Sequence, residues 1–191
     1  MKNNILKTGF IMILAIIMTS FTTASEKKVN IKDSSITWKG HKVTGTHDGT
    51  INLSEGTLMF DDNNNLTGGT FTIDMTSITV TDLEAGSGKE KLEGHLKSDD
   101  FFGVSNHKQA MFTINKVDGN NGTYRVYGDL TIKGITKPAT FQMTVKDNTA
   151  TASFKIDRTK FDIRYGSASF FDDLKDKAIY DEFDLNVNLK F

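Results

Sequence analysis

The stretch that decides the fold is residues 128–138 (GDLTIKGITKP), followed directly by residues 139–145 (ATFQMTV). In both segments apolar and polar side chains alternate, which is the period of a strand with one buried face. Gly134 lies inside the first segment, after the alternating run 128–133, and glycine is a residue that tight turns favour. Pro138 is the only proline of the chain. It lacks a backbone N–H, so we expect it at the start of the second strand. The stretch therefore predicts a β-hairpin.

The same alternation recurs along most of the chain. It is most regular at residues 183–191, where five apolar residues alternate with polar ones. We expect an all-β fold of about eight antiparallel strands, which can close into a barrel or stack as a two-sheet sandwich. Periodicity does not separate these two. Leu92 and Leu96 depart from the alternation and have helical spacing, which predicts one short helix inserted around residues 88–97. The other strand-like runs are 36–43, 49–53, 57–60, 70–75, 111–117, 124–132 and 150–157.

The first 24 residues have the pattern of a secretory signal peptide. Lys2 and Lys7 precede an apolar run at residues 10–18, and small residues near Ala24 are typical of a cleavage site. We therefore predict that residues 25–191 form the single mature domain, in the periplasm or outside the cell. The apolar run is short for a membrane span, which needs about 20 residues. An uncleaved N-terminal anchor is the alternative.

The composition excludes several classes of protein. The chain has no cysteine, so a disulfide framework and a lipid-modified cysteine are both impossible. Its formal net charge is −1, without the basic stripe of a nucleic-acid-binding protein, so we expect no nucleic-acid partner. The chain has 14 phenylalanines, which indicate an aromatic core or an aromatic-lined cavity.

Six further segments accompany the opening stretch in a fixed order: 38–43 (WKGHKV), 47–49 (HDG), 73–78 (IDMTSI), 92–102 (LEGHLKSDDFF), 110–112 (AMF) and 158–163 (RTKFDI). Together they resemble the YceI-like family of polyisoprenoid-binding, lipocalin-like proteins of the bacterial periplasm. The resemblance implies an eight-stranded antiparallel barrel with a long apolar interior. It also implies a long isoprenoid ligand, a quinone or a polyprenyl phosphate, which the protein would store, shield or transport. No cofactor is implied.

The aromatic and aliphatic residues of the strands are the candidates for lining such a cavity. An ordinary packed core is the alternative for each of them, because a barrel interior is filled by either side chains or a ligand. The candidates are Phe60, Phe71, Ile73, Met75, Phe112, Phe141, Met143, Phe154 and Phe183.

Four cationic or titratable residues are candidates for holding a polar head group: Arg158, Arg164, Lys42 and His47. Arginine suits phosphate because its guanidinium donates two parallel hydrogen bonds. The alternative is that each of these side chains lies on the solvated surface. His41 and His47 have the same parity in a strand and are predicted to share a face. Two histidines do not make a zinc site, so we expect no metal.

Two phenylalanine pairs, 101–102 and 170–171, fall in irregular segments. They are candidates for gating a cavity or touching a membrane transiently; plugging one barrel end is the alternative for both.

We find no catalytic signature in the sequence. It has no nucleophile elbow, no glycine-rich phosphate loop after a strand and no zinc motif. We therefore expect a binding protein, monomeric or homodimeric. An enzyme that acts on an isoprenoid or other lipid through His47, His95 or Arg158 is one alternative. A stress-related protein that interacts through its surface and has a packed barrel is another.

Overall fold

The computed structural model describes residues 25–191, so the predicted signal peptide lies outside the described residues. Nine strands, one α-helix and three short 3-10 helices make up the regular structure of this part of the chain. The 3-10 helices are Ile31–Asp33, Arg158–Phe161 and Lys175–Lys177. The α-helix is α1 (Lys89–Lys97). The strands are β1 (Ser25–Lys28), β2 (Ser35–Lys42), β3 (Gly45–Phe60), β4 (Leu66–Val80), β5 (Gln109–Asn120), β6 (Thr123–Ile132), β7 (Ile135–Lys146), β8 (Thr149–Asp157) and β9 (Glu182–Lys190).

Eight of the strands close into one antiparallel barrel. The sheet order runs β3-β2-β9-β8-β7-β6-β5-β4, and β3 pairs with β4 to close the ring. The short β1 pairs with residues 57–60 of β3, beyond the part of β3 that β2 covers. Closure excludes the two-sheet sandwich and confirms the lipocalin-like barrel with a single short helix.

The β6–β7 hairpin follows from the turn chemistry of Lys133 and Gly134. Both have positive φ, 53° and 74°, as the two central residues of a type I′ turn require. Ile132 therefore pairs with Ile135, and the ladder continues to Thr123 opposite Thr144. Pro138 does not begin a strand as expected; it lies inside β7, opposite Asp129. Proline is tolerated there because this part of β7 has a ladder on one side only.

The two ends of the barrel differ. At the helix end, β2, β4, β6 and β8 finish, and the long connections 81–108, which contains α1, and 158–181 cross the opening. At the far end, tight turns join the strands and β1 lies along the wall. The far half is filled by side chains that are at most 3% exposed: Leu58, Phe60, Leu66, Val126 and Ala150.

Helix α1 is held at its end of the barrel by one carboxylate. Glu93 Oε1 accepts hydrogen bonds from the Thr79 hydroxyl at 2.5 Å and from the Val80 N–H at 2.9 Å. Leu96 is the buried residue of the helix. The helix therefore packs on the barrel through Leu96, with Glu93 fixing it to the end of β4.

Candidate functional site

A cavity of about 170 Å³ extends into the barrel from the helix end, and on β9 its wall reaches as far as Leu189. All eight barrel strands contribute to its wall, almost entirely with apolar side chains. Phe183, Leu185 and Val187 of β9 point inward by parity and yet are only half-buried, because they border this space. Eight of the nine predicted cavity residues line it: Phe71, Ile73, Met75, Phe112, Phe141, Met143, Phe154 and Phe183.

Phe60 is the predicted cavity residue that lies elsewhere. It is 1% exposed at the far end of the barrel, where its ring lies 5.6 Å from the ring of Phe191. The ammonium group of Lys27 lies 4.7 Å above it. Alternation gives the inward face of a strand but not the depth along the barrel axis, so Phe60 could not be separated from the lining residues by sequence.

Four phenylalanine rings form a continuous wall across the cavity. Their centroids are 6.4 Å apart from Phe71 to Phe112, 5.3 Å from Phe112 to Phe141 and 4.2 Å from Phe141 to Phe154. The last pair is stacked with an angle of 7° between the rings. Gly128 makes room for this wall, because a Cβ there would lie 2.6 Å from the Phe112 ring.

The two phenylalanine pairs of the irregular segments lie in different places. Phe101 and Phe102 are 7% and 8% exposed and border the cavity together with Leu96 of α1. Their segment is tied to the helix by the Phe102 N–H, which donates to the Leu96 carbonyl at 3.1 Å. Phe170 and Phe171 are exposed and do not border the cavity. The first pair therefore caps the cavity, and the second lies exposed at the surface.

Arg158 is the one predicted head-group residue that borders the cavity, and it is 2% exposed. Its Nε, Nη1 and Nη2 donate to the carbonyls of Tyr180, Ile163 and Ile179 at 2.8–3.0 Å. Asp181 Oδ1 lies 3.8 Å from Nη2. Burial lowers the pKa of the guanidinium, and the charge of Asp181 opposes this shift. An arginine remains charged under such conditions, so Arg158 places a fixed positive charge at the helix end of an apolar cavity.

The other three predicted head-group residues lie outside the cavity wall. Lys42 forms an isolated backbone bridge with Ile179. The Nδ1 of His47 lies 2.9 Å from Asp82 Oδ2. Arg164 is paired with Asp162 at 3.1 Å and covers the Phe170 ring at 4.7 Å.

His41 also borders the cavity, although it was not among the residues predicted to hold a head group. Its Nε2 lies 2.6 Å from Asp184 Oδ2, and its ring stacks against Tyr180, which also borders the cavity. The hydrogen bond from Lys155, and that of His41, lower the pKa of the Asp184 carboxyl. Strand parity places Trp38 and Gly40 inward and His41 outward. His41 lies at the end of β2, where the Tyr180 N–H donates to its carbonyl at 2.8 Å and Ile179 and Tyr180 also border the cavity. Among residues 25–191 no three histidine or acidic side chains gather in a way that could hold a metal ion.

The fold and the cavity together define a lipocalin-like β-barrel with an apolar interior. A model of the family described as the YceI-like domain matches residues 27–191. The chain therefore belongs to the YceI-like family, as its motifs predicted.

Relatives and solved structures agree with this assignment. A UPF0312 protein of Pectobacterium atrosepticum is 32% identical over 90 residues, which cover 47% of this chain and 44% of that protein. Protein YceI of Escherichia coli O157:H7 is 30% identical over 94 residues, which cover 49% of this chain and 46% of that protein. The chain thus aligns with somewhat less than half the length of these relatives.

Solved structures with the same fold include the following two. BcnA of Burkholderia cenocepacia superposes with a TM-score of 0.66 at 22% identity and covers 84% of this chain and 98% of its own. A polyisoprenoid binding domain from Saccharophagus degradans, implicated in plant cell wall breakdown, has a TM-score of 0.57 at 13% identity. The superposition covers 88% of this chain and 97% of that domain. Within residues 25–191, no helix has both the length and the apolar character that crossing a bilayer requires.

Proposed function

We propose that this protein binds a long isoprenoid lipid, with the tail in the barrel cavity and the head group at the helix end, and stores, shields or transports it in the periplasm or outside the cell. The observation that carries the proposal is a cavity walled by apolar side chains of all eight strands, with one buried arginine at its end. The YceI-like family and the polyisoprenoid binding domain that shares the fold support it.

The apolar wall supplies the driving force for binding. Burying an alkyl chain contributes about 0.8 kcal/mol per CH₂ group before ordering costs. The cavity of about 170 Å³ is smaller than the roughly 300–1,000 Å³ of pockets for drug-sized ligands. A long chain therefore has to displace side chains. Met75 and Met143 suit this, because methionine adapts its shape at low cost.

The charges at the helix end favour a quinone over a polyprenyl phosphate. Three of the five N–H groups of Arg158 are used by backbone carbonyls. Asp181 lies close to its guanidinium, and Glu182 also borders the cavity. The positive charge is thus already balanced by carboxylates. A neutral quinone carbonyl can accept a remaining Arg158 N–H, whereas a phosphate would meet like charges.

The only tryptophan of the chain is a reporter for this site, because Trp38 borders the cavity. We would titrate the protein with a ubiquinone that carries a short isoprenoid tail and measure quenching of Trp38 fluorescence. A polyprenyl phosphate would be added as competitor. Saturable quenching supports quinone binding, and displacement by the phosphate would reverse the head-group preference.

A matched pair of variants on β9 locates the binding. Val187→Phe places a ring in the cavity, whereas Asn188→Phe places it on the exposed face of the same strand. Quenching should be lost in the first variant and kept in the second. Native mass spectrometry of protein isolated from its own cell envelope should show a bound isoprenoid. If the protein carries none and takes up neither quinone nor polyprenyl phosphate, the proposal is wrong.

The structure does not gather the residues named for an enzymatic alternative. Of His47, His95 and Arg158, Arg158 alone borders the cavity. His95 packs edge-on against Tyr165 with ring centroids 4.3 Å apart. The transient membrane contact expected from the sequence best fits Phe170 and Phe171, which are 46% and 51% exposed beside the helix end. Whether the protein acts as a monomer or a homodimer stays a prediction.

A further inference from the structure

The ladder between β7 and β8 is interrupted. In the described part of the chain these strands pair only where residues 143–146 face residues 149–152, next to their turn. Both strands then continue toward the helix end with partners on one side only. Residues 135–142 pair with β6, and residues 153–157 pair with β9. We call the unpaired boundary between 135–142 and 153–157 the seam.

The seam is filled by side chains. If the ladder continued, Phe141 would face Phe154, and these are the two rings that stack at 4.2 Å. Ala139 and Ile156, the next inward positions, border the cavity on either side of the seam. Lys137 has the inward parity of Ala139 and is nevertheless exposed. The cavity is thus separated from the outside here by an aromatic pair and short side chains.

Other routes into the cavity are closed more firmly. The far half of the barrel is packed with side chains that are at most 3% exposed, such as Leu58 and Val126. At the helix end, backbone hydrogen bonds hold the Phe101-Phe102 cap to α1, and Arg158 ties the 158–181 connection through three carbonyls. Opening any of these breaks tight packing or buried hydrogen bonds, which leaves polar groups unpaired. Separating β7 from β8 at the seam breaks no ladder.

We infer that the seam is the passage through which the isoprenoid chain enters and leaves the cavity sideways, with the Phe141–Phe154 pair controlling its admission. The inference rests on the proposed function, since it assumes that the cavity takes such a chain. A lateral passage also explains how a blind, narrow cavity admits a long chain: the whole length slides in between two strands and need not thread through one end. A passage governs rates, so it affects association and dissociation alike and leaves the equilibrium constant unchanged.

Cysteine pairs test this directly, because the chain has no cysteine of its own. Thr140→Cys with Lys155→Cys places two thiols on outward, opposite positions across the seam. Thr144→Cys with Thr151→Cys is the matched control, since these residues already face each other in the ladder. Each double variant is compared in its oxidised form, with a disulfide between the two cysteines, and in its reduced form. If the thiols are too far apart to form a disulfide, a short bismaleimide is used to cross-link them. The probe is a dansyl-farnesyl conjugate, followed by energy transfer from Trp38 in stopped flow.

Closing the seam should slow both the association and the dissociation of the probe about tenfold or more, with the dissociation constant unchanged within about twofold. Reducing the disulfide should restore both rates, whereas the bismaleimide link is not cleaved by reductant and is compared with the same variant before cross-linking. The control pair should show no change in either rate. Phe154→Leu, which removes one ring of the stack, should instead accelerate both rates. If the cross-linked seam variant exchanges probe as fast as its reduced form, the passage lies elsewhere and the binding function stands. If no form of the protein takes up the probe, both proposals fail.

Discussion

Trp38 owes its place on the cavity wall to a glycine on the neighbouring strand. Gly49 pairs with Trp38 across the β2–β3 ladder and is buried. A Cβ at Gly49 would lie 2.0 Å from the Thr79 carbonyl oxygen and 2.3 Å from the indole. Glycine is required here because it has no side chain, and not because of its conformational freedom. The indole N–H can then donate to the Thr50 carbonyl at 3.3 Å.

Gly49→Ala should therefore destabilise the fold by about 1–3 kcal/mol or more, because the carbonyl it meets is backbone and cannot move away cheaply. Gly94→Ala is the control, since a Cβ at Gly94 meets nothing within 4 Å and the residue lies inside α1. It should stabilise the protein by up to about 1 kcal/mol. Urea unfolding followed by Trp38 fluorescence measures both. Equal effects of the two substitutions would contradict the steric explanation.

Arg158 is a structural residue as well as a candidate for the head-group site. Replacing it by methionine removes three hydrogen bonds to carbonyls and leaves Asp181 without its cation. We expect a loss of about 3–5 kcal/mol in the free energy of unfolding, as for other broken buried pairs. Arg164→Met, at an exposed arginine, should change stability by less than about 0.5 kcal/mol. Thermal and urea unfolding of both variants measure these changes in stability. A small loss of stability in the Arg158 variant would show that the three carbonyls form hydrogen bonds with water instead.

Single residues also show where sequence interpretation stops. Alternation selected inward-facing residues such as Phe71 and Phe183 correctly, because a strand fixes which face each side chain takes. It misplaced Phe60, since position along the barrel axis depends on strand stagger. It missed His41, which borders the cavity at the end of β2, where the 158–181 connection folds back onto the strand. Head-group residues depend on such connections, which have no periodic signal.

At the scale of elements, the regular parts follow from local chemistry and the connections do not. The β6–β7 hairpin and helix α1 could be predicted because turn residues and helical spacing are local signals. The short β1 could not, since it pairs with a distant part of β3 and carries three exposed residues among four. The interrupted ladder between β7 and β8 leaves no trace in the alternation of either strand.

The attachment of α1 is predicted to depend on pH through Glu93. The hydrogen bonds from Thr79 and from the Val80 N–H lower the pKa of this carboxyl below its ordinary value of 4.5. A lowered pKa means that the stabilisation is fully present above about pH 4.5 and is lost as the pH falls through the folded-state value. Glu93→Gln should remove this dependence.

Hydrogen exchange of the Val80 and Phe102 amides measures the attachment directly. Protection should fall on acidification in the wild type and be low and pH-independent in Glu93→Gln, after correction for intrinsic exchange. Glu90→Gln, in the exposed first turn of the helix, serves as the control and should behave as wild type. If acid leaves the Val80 amide protected in the wild type, the helix is held by Leu96 packing alone.

At the scale of the whole molecule, the barrel divides into a packed half and a hollow half. The far half supplies a dense core, which a chain without disulfides needs for its stability. The half near the helix gives up that packing around the cavity. The composition indicated an aromatic core or an aromatic-lined cavity. The structure has both, since Phe60 lies in the packed core and Phe71 and Phe112 line the cavity. Their distribution between the halves depends on the stagger of all eight strands, which no local pattern encodes.

This division predicts opposite consequences for two phenylalanines. Phe60→Ala should lower the free energy of unfolding by about 3–5 kcal/mol, because the ring is fully packed. It should leave quinone binding unchanged in the protein that remains folded. Phe71→Ala should cost less stability, since one side of its ring already faces the cavity, and should change the affinity for the quinone. Urea unfolding and Trp38 quenching, measured on both variants, separate the effects. Loss of quinone affinity in Phe60→Ala, at a temperature where that variant is folded, would show that the packed half yields to the ligand and that the cavity extends through the whole barrel.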